Sequence, residues 1–370
     1  MGSIHPYKTS RGKRYLVRYQ KSDRSQGAKR GFATKRDAEL WLAGMESTQA
    51  KGDFIDPQGG RATVEDVGES WLAAKRVSMK PSSFAPIEAA WRLRVRPRWG
   101  RWPVADVRFT DIKGWVAQLS MERGATVTIR TFGVLASVLD DAVEDGRLSR
   151  NPGRAGRIGL PRKSRGEHQY LSHTQVHDLA AAAGEHRMII LLLAYTGLRW
   201  SELVGLRVKH IDFERRRIRV SENAVEVHGV IHVGTTKSNK PRFVPVPAFI
   251  LDELQAHTAG AKKDALVFPG RDGQHMRRLR TSAASKSWFK TALISADLER
   301  MTIHDLRHTA ASLAIQSGAH VKTVQRMLGH ASAAMTLDIY ADLFDTDLDS
   351  VAEALHNAAQ SSVEIRSRDN

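Results

Sequence analysis

The sequence of 370 residues predicts a multidomain α+β protein. It comprises a small N-terminal domain of three strands and one helix, an all-α middle domain, and a mostly α C-terminal domain with a small antiparallel sheet. Three observations predict this class. Apolar and polar residues alternate near the N-terminus, as in strands. Long stretches with apolar residues at helical spacing follow. Two linkers rich in glycine, proline or charge separate the parts and place the domains at residues 1–60, 61–160 and 161–370.

The composition favours a polyanionic partner. The net charge is +17, and residues 1–36 contain eleven Lys or Arg side chains against one acid, whereas residues 338–370 contain eight acids against two arginines. An excess of this kind points first to nucleic acid. The chain has no cysteine, which excludes disulfide frameworks and thiolate metal sites. No apolar run reaches membrane-spanning length and no signal-peptide core is present, so a cytoplasmic protein is expected.

The first domain combines a strand pattern with strong basic charge. Residues Tyr15–Tyr19 alternate as a strand does, and Lys29–Ala33 predict a second strand after a turn. Thr34 is a good N-cap, and Asp37 completes a capping-box-like arrangement for a helix over Lys35–Thr48. A module this basic is expected to bind DNA. Its candidate DNA-contacting residues are Lys13, Arg14, Arg18, Lys29 and Arg30.

The middle domain reads as four or five helices. Thr63 caps the first, Ser83–Val95 predicts the second, Thr110 is expected to cap the third, and Thr126–Glu144 predicts a long helix with one apolar face. We expect the tryptophans of this domain to belong to its core. The following linker, residues 153–167, is basic and is expected to cross a DNA backbone. Its candidate contact residues are Arg162, Lys163 and Arg165.

The C-terminal domain opens with a helix that Ser172 is expected to cap, and a second, strongly apolar helix over His186–Thr196 precedes the stretch TGLRWSEL. The glycine of that stretch is expected to end the helix, and Trp200 or Ser201 to begin another. Arg199 would then project from a turn between two apolar helices. An arginine fixed in this way is placed as rigidly as a phosphate clamp requires.

Strands are predicted next, at Arg217–Val220, Val230–Val233 and Arg242–Val246. We expect the last two to form a hairpin around the loop GTTKSNKP. Lys237 would lie on this hairpin, where a long amine could enter a cleft. Lys240 is the rival, although the proline after it places it in the turn.

The run from 301 to 342 carries the strongest candidates for chemistry. His304 and Arg307 are three residues apart at the start of a predicted helix, so they share one face. His330 follows just past a second predicted helix, and Tyr340 lies on a short segment of its own. An isolated pair or tyrosine of this kind is usually structural. Together with Arg199, the set suggests attack on a phosphodiester by the tyrosine, with the arginine as a clamp and the histidines as donors.

These motifs, in order, resemble the tyrosine recombinase (phage integrase) family. TGLRWSEL, TTKSNKPRFVPV, HDLRHT, LGH and then Tyr340 carry the resemblance, and it covers the C-terminal domain most densely. The resemblance implies that Arg199 is the first catalytic arginine, that Glu202 orients it, and that Lys237 is the hairpin lysine that protonates the leaving 5′-oxygen. Tyr340 would be the nucleophile.

The same resemblance assigns His304, Arg307 and His330 to the remaining catalytic positions. Both arginines would bind the nonbridging oxygens and stabilise the transition state. Cationic neighbours would favour the phenolate of Tyr340. A 3′-phosphotyrosine and a free 5′-hydroxyl would form, and because the bond energy is kept, neither a cofactor nor a metal is required.

The resemblance also sets expectations for architecture and partners. The first two domains resemble arm-type and core-binding (SAM-like) DNA-binding domains. Expected partners are double-stranded DNA at arm and core attachment sites and three further copies of the chain around a Holliday junction. A host DNA-bending protein and a directionality factor are further expected partners, no membrane is, and the setting would be the nucleoid of a bacterial host.

Two other functions stay open from the sequence, a type IB topoisomerase-like enzyme and a non-catalytic DNA-binding regulator. The N-terminal basic module argues against the first, and the complete set of candidate catalytic residues argues against the second. The acidic tail is a separate question. Residues 343–359 have apolar positions at helical spacing, so they predict an amphipathic helix that packs on its own domain or on a neighbouring protomer.

Overall fold

The computed structural model describes residues 2–10, 12–20, 26–50, 61–163, 169–235, 241–279, 287–340 and 355–356, without the side chains of 47–50. The chain divides into two compact units, residues 1–165 and 166–370. The first unit contains the first two predicted domains, and the division into three domains stays a prediction. In the ranges above, no helix is both long and apolar enough to cross a membrane.

The first unit begins with a three-stranded antiparallel sheet in the order β1-β2-β3, followed by a helix. Its elements are β1 (Ser3–Thr9), β2 (Gly12–Gln20), β3 (Gln26–Phe32) and α1 (Lys35–Ala50). Val17 and Tyr19 on β2 are buried beneath α1. The Thr34 hydroxyl accepts from the backbone N–H of Asp37 at 3.1 Å. The predicted strands-plus-helix module and its cap are therefore confirmed.

The rest of the first unit is helical. Its helices are α2 (Val64–Ser78), α3 (Pro81–Ala90), α4 (Arg96–Trp99), α5 (Phe109–Glu122) and α6 (Ala125–Glu144), with a π-helical turn between α3 and α4. Thr63 caps α2, as predicted, and forms a capping box with Asp66. The prediction that Thr110 caps the third helix is wrong, because the extended residue before the helix is Arg108 and Thr110 already lies inside α5. Of the tryptophans expected in the core, Trp71, Trp91, Trp99 and Trp115 are buried, and Trp102 is partly buried against them.

The second unit packs eight helices of the described ranges around one core. They are α7 (His173–Ala182), α8 (Arg187–Thr196), α9 (Trp200–Val204), α10 (Ala248–His257), α11 (Trp288–Ser295), α12 (Asp305–Gln316), α13 (Val321–Leu328) and α14 (Ala333–Tyr340). Helix α8 lies at the centre, since every side chain from Met188 to Ala194 is buried. Ser172 begins α7 with a capping box, as its position suggested.

Two small antiparallel sheets complete the second unit, in the orders β4-β5-β8 and β6-β7. The strands are β4 (Ile211–Asp212), β5 (Arg217–Val220), β6 (Glu222–Val227), β7 (Val230–Thr235) and β8 (Arg242–Pro245). The predicted hairpin of β7 with β8 is wrong, because β7 pairs with β6 and β8 pairs with β5. His228 and Gly229, between β6 and β7, both have positive φ, as a tight two-residue hairpin turn requires.

Some predicted features lie outside the described residues. They are Arg165, Lys237, Lys240 and most of the tail helix over 343–359.

Candidate active site

Arg199 is fixed by the close approach of two helices. Helix α8 ends at Gly197, which is left-handed at φ 64°. A Cβ atom there would lie 2.6 Å from a methyl carbon of Leu328 on α13, so only glycine fits both the backbone and the contact. The chain is extended again at Arg199, which is the N-cap of α9. The predicted turn between two helices is confirmed, and it holds the base of the Arg199 side chain in place.

Glu202 lies behind Arg199 and is almost fully buried, with 2% of its side chain exposed. It accepts the Arg199 backbone N–H at 2.9 Å and the Arg199 guanidinium at 3.0 Å. Arg242 donates to both carboxylate oxygens, at 2.8 and 2.7 Å. Burial by itself raises the pKa of Glu202, but the hydrogen bonds and charges of the two arginines outweigh burial and lower this pKa to about 2. Glu202 is therefore ionised at neutral pH.

Arg307 lies deeper in the same pocket, on the first turn of α12, and is 3% exposed. It donates to the backbone carbonyls of Gly197 and Leu328. Burial and, after it, the charge of Arg199 lower the pKa of Arg307 to about 9. The guanidinium therefore still carries its charge at neutral pH.

His330 follows the left-handed Gly329 that ends α13. Its Nδ1 atom lies 3.0 Å from the hydroxyl oxygen of Thr336. Burial, followed by the charges of Arg307 and Arg199, lowers the pKa of His330 to about 4. The imidazole is neutral near pH 7. If Nδ1 accepts from the threonine, Nε2 carries the proton and is a hydrogen-bond donor.

Tyr340 is the last residue of α14 and is 1% exposed. Its hydroxyl oxygen lies 2.8 Å from Nδ1 of His308, and the His308 ring lies 5.3 Å from the ring of the exposed His304. Burial raises the pKa of Tyr340 above its ordinary value, and the opposing charge of Arg307 is too weak to reverse this. The expectation that cationic neighbours favour the phenolate is thus outweighed by burial in this structure.

The structure brings the described candidates of the second unit into one neighbourhood. Arg307 and Tyr340 influence each other's titration, and His330 is affected by both arginines and by His304. Two neighbours, Arg242 and His308, are absent from the sequence prediction. Alternation along RFVPV could have placed Arg242 on the buried face of β8 with Val244. In the described ranges, no three His, Cys, Asp or Glu side chains cluster as a metal site.

The basic residues predicted to bind DNA in the first unit divide between two faces of the sheet. Lys29 opposes the buried Val17 and lies 4.7 Å from the ring of Trp41 on α1, so it is on the helix side. Alternation places Lys13 on this side as well. The opposite, open face carries Arg14, Arg18 and Arg30. Arg162 and Lys163 are exposed in the segment that follows the helices.

Comparison with known proteins identifies the family. The sequence profile of the Phage integrase family matches residues 169–347. The chain is 30% identical over 327 residues to the integrase of Mycobacterium phage D29, covering 83% of this chain and 84% of that protein. It is 26% identical over 358 residues to a XerC-like tyrosine recombinase of Caldanaerobacter subterraneus, covering 88% and 90%.

Solved structures show the same fold. The Tn1549 transposon integrase bound to circular intermediate DNA matches with a TM-score of 0.66 at 21% identity, over 78% of this chain and 99% of that one. A lambda integrase tetramer bound to a Holliday junction matches with a TM-score of 0.55 at 16% identity, over 89% and 96%. The helix-rich fold with small antiparallel sheets is therefore that of these integrases, and the chain belongs to the phage integrase family of tyrosine recombinases, site-specific enzymes that cleave and rejoin DNA.

Proposed function

We propose that Tyr340 attacks a DNA phosphodiester held by Arg199 and Arg307, forming a 3′-phosphotyrosine and releasing a 5′-hydroxyl. Attack by a second 5′-hydroxyl on this intermediate rejoins the DNA in a new combination. The observation that carries the proposal is the convergence of two arginines and a neutral histidine on the pocket where α14 delivers a tyrosine. The reaction integrates or excises a phage or other mobile element.

The two arginines supply the charge that the transition state needs. Arg199 is 30% exposed and its guanidinium is bonded to Glu202 through Nη1, so it keeps other N–H donors for a phosphate. Arg307, which is more buried than Arg199, adds a second positive charge. Cations aimed at the nonbridging oxygens stabilise the charge that develops during phosphoryl transfer.

Proton transfers are assigned to the remaining groups. With its Nδ1 accepting from Thr336, neutral His330 donates from Nε2 to the phosphate. His304 assists proton transfer, and Lys237 protonates the leaving 5′-oxygen as general acid, with Lys240 as the alternative. The Tyr340 hydroxyl is buried against His308, so Tyr340 has to leave His308 before it attacks.

The assembly that we propose is a homotetramer on double-stranded DNA that exchanges strands through a Holliday junction. Residues 1–60 bind arm sites, residues 61–160 bind core sites and residues 161–370 carry catalysis. The lambda integrase tetramer of similar fold, bound to a Holliday junction, supports the tetrameric part of this proposal. We also propose that a host DNA-bending protein and a directionality factor take part, and that the protein acts at the bacterial nucleoid. A type IB topoisomerase or a non-catalytic regulator is less well supported, because the relatives are integrases and recombinases.

Trapping of covalent adducts tests the proposal. The full-length protein is incubated with a library of random-sequence duplexes that carry a nick, so that the cleaved strand is lost and the adduct accumulates. The DNA of the adducts is sequenced, and the modified residue is located by mass spectrometry. We expect the adduct on Tyr340 and no inhibition by EDTA.

Variants then assign the roles. Tyr340→Phe is expected to bind the recovered DNA and form no adduct, whereas Tyr195→Phe, a partly buried tyrosine elsewhere in the second unit, is expected to react as the wild type does. Arg199→Ala or Arg307→Ala is expected to slow cleavage on the order of 10²–10³-fold. An adduct formed by Tyr340→Phe would disprove the assignment of the nucleophile.

A further inference from the structure

Arg242 on β8 contacts Glu202, Met327 and Gly329, and the proposed mechanism gives it no role. Its guanidinium is bidentate on Glu202, and its Nε atom donates to the carbonyl of Met327 at 3.0 Å. Only 13% of its side chain is exposed. Three of its five N–H donors are therefore bonded within the protein, which fixes the position of the guanidinium.

The same side chain also packs against the glycine that precedes His330. A Cβ atom at Gly329 would lie 2.9 Å from Cδ and 3.1 Å from Nε of Arg242. The left-handed turn and the arginine stem consequently fix each other. Arg242 thus contacts the backbone on both sides of Leu328, whose carbonyl binds Arg307.

Because Arg242 and Arg199 share Glu202, Arg242 limits how many hydrogen bonds the Arg199 guanidinium forms with that carboxylate. Oε1 accepts one bond from each guanidinium, and Oε2 accepts from Arg242 and from the Arg199 backbone. Two arginines cannot both form a fork on one carboxylate. Because Arg242 holds the fork, the Arg199 guanidinium keeps a single bond to Glu202 and retains N–H donors for a phosphate.

We propose that Arg242 is a positioning residue that occupies the fork of Glu202, so that Arg199 is presented to the scissile phosphate, and that fixes the turn leading to His330. The inference rests on the proposed role of Arg199 as a phosphate clamp. Without Arg242, Glu202 is free to take Arg199 into its own bidentate pair and draw it away from DNA. Lysine cannot replace this function, because an ammonium lacks the planar fork.

The test compares Arg242→Lys and Arg242→Gln in the full-length protein with the control Arg217→Lys, an exposed arginine on the neighbouring strand β5. The DNA is the nicked duplex recovered by adduct trapping. Single-turnover cleavage is measured per DNA-bound protein, so loss of folded protein does not enter the comparison. Three substrates carry a normal phosphodiester, a 5′-bridging sulfur, or a methylphosphonate at the scissile position.

Each substrate removes a different requirement. Sulfur is a better leaving group and needs no general acid, whereas a methylphosphonate lacks one charged oxygen and needs less clamping. We expect both Arg242 variants to cleave the normal and the sulfur substrates roughly 10- to 100-fold more slowly, as for a misplaced catalytic group. The deficit should shrink severalfold on the methylphosphonate, and Arg217→Lys should match the wild type on all three.

Three results would overturn the inference. Unchanged rates would show that Arg242 does not position the clamp. An equal deficit on all three substrates would indicate a merely structural role, and relief by the sulfur substrate would mean that Arg242 acts through the general acid. Arg199→Ala and Tyr340→Phe are measured alongside. If those variants cleave normally, the proposed function itself fails, whatever the Arg242 variants do.

Discussion

Replacing His308 with leucine tests how the buried position of Tyr340 is stabilised. The Tyr340 hydroxyl is buried and lies 2.8 Å from Nδ1 of His308. Leucine removes the hydrogen-bonding ring and leaves a buried hydroxyl without that partner. The substitution should therefore weaken the docking of α14 on the second unit.

The structure sets the size of the expected effect. A buried polar group that loses its partner costs roughly 1–3 kcal/mol. This cost should appear as a lower free energy of local opening of α14, or about 5- to 150-fold faster exchange of its amide hydrogens when the exchange rate follows the opening equilibrium. In a Tyr340→Phe background the hydroxyl is already gone, so His308→Leu should have a smaller effect.

Hydrogen–deuterium exchange of peptides that cover Ala333–Tyr340 measures this in the full-length protein. The wild type, both single variants and the double variant form a cycle whose coupling free energy isolates the contact. We expect a coupling of about 1 kcal/mol or more. His257→Leu is the matched control, since that histidine lies on α10 with a ring nitrogen 3.0 Å from the carbonyl of Val267.

The reasoning is refuted if His308→Leu speeds exchange equally in both backgrounds, because the loss would then come from packing. It is also refuted if His257→Leu changes exchange in α14 as much. A confirmed coupling would mean that DNA has to supply the free energy that breaks this contact before cleavage.

Three further predictions follow from the same structure. The pKa of His330 is about 4 in the folded protein against an ordinary 6.5, so the unfolded chain binds the proton at a higher pH than the folded chain does. The stability that His330 contributes is therefore lost as pH falls from 6.5 towards 4. The free energy of unfolding, measured in urea at a series of pH values, should fall less steeply over this range in His330→Gln. Gly197→Ala forces a side chain at positive φ into Leu328 and should cost about 1–3 kcal/mol in thermal or urea unfolding. Replacing the three open-face arginines of the first sheet with alanine should make the salt dependence of arm-site binding shallower by roughly 2–3 in log–log slope, and an unchanged slope would place the DNA elsewhere. Those arginines are Arg14, Arg18 and Arg30.

Local signals in the sequence predicted most of the elements. Thr63 and Ser172 each cap a helix as expected, because a cap and the backbone N–H that it accepts are only three residues apart. The strand partners were harder to predict. Strand β6 has weak apolar alternation, and the turn at His228 and Gly229 lacks the usual Asn-Gly pair, so β7 was assigned to β8 instead of β6.

The site was predictable where a motif specifies both residue type and spacing, as for Arg199 and Arg307. Arg242 and His308 were missed for a physical reason. Each is recognised by what it contacts across the fold, a carboxylate 40 positions earlier and a hydroxyl 32 positions later. Those contacts depend on how the helices and strands pack, which a local pattern does not contain.

The way Arg307 is held explains how the pocket stays cationic. Arg307 donates to the carbonyls of Gly197 and Leu328, at the C-terminal ends of α8 and α13. Such ends carry partial negative charge, so two helix dipoles stabilise the buried guanidinium. A carboxylate in their place would neutralise Arg307 and compete with a phosphate for it. Three arginines and one carboxylate, Glu202, thus leave a net positive charge that an incoming phosphodiester can neutralise. The backbone dipoles partly offset the desolvation of the buried Arg307 guanidinium.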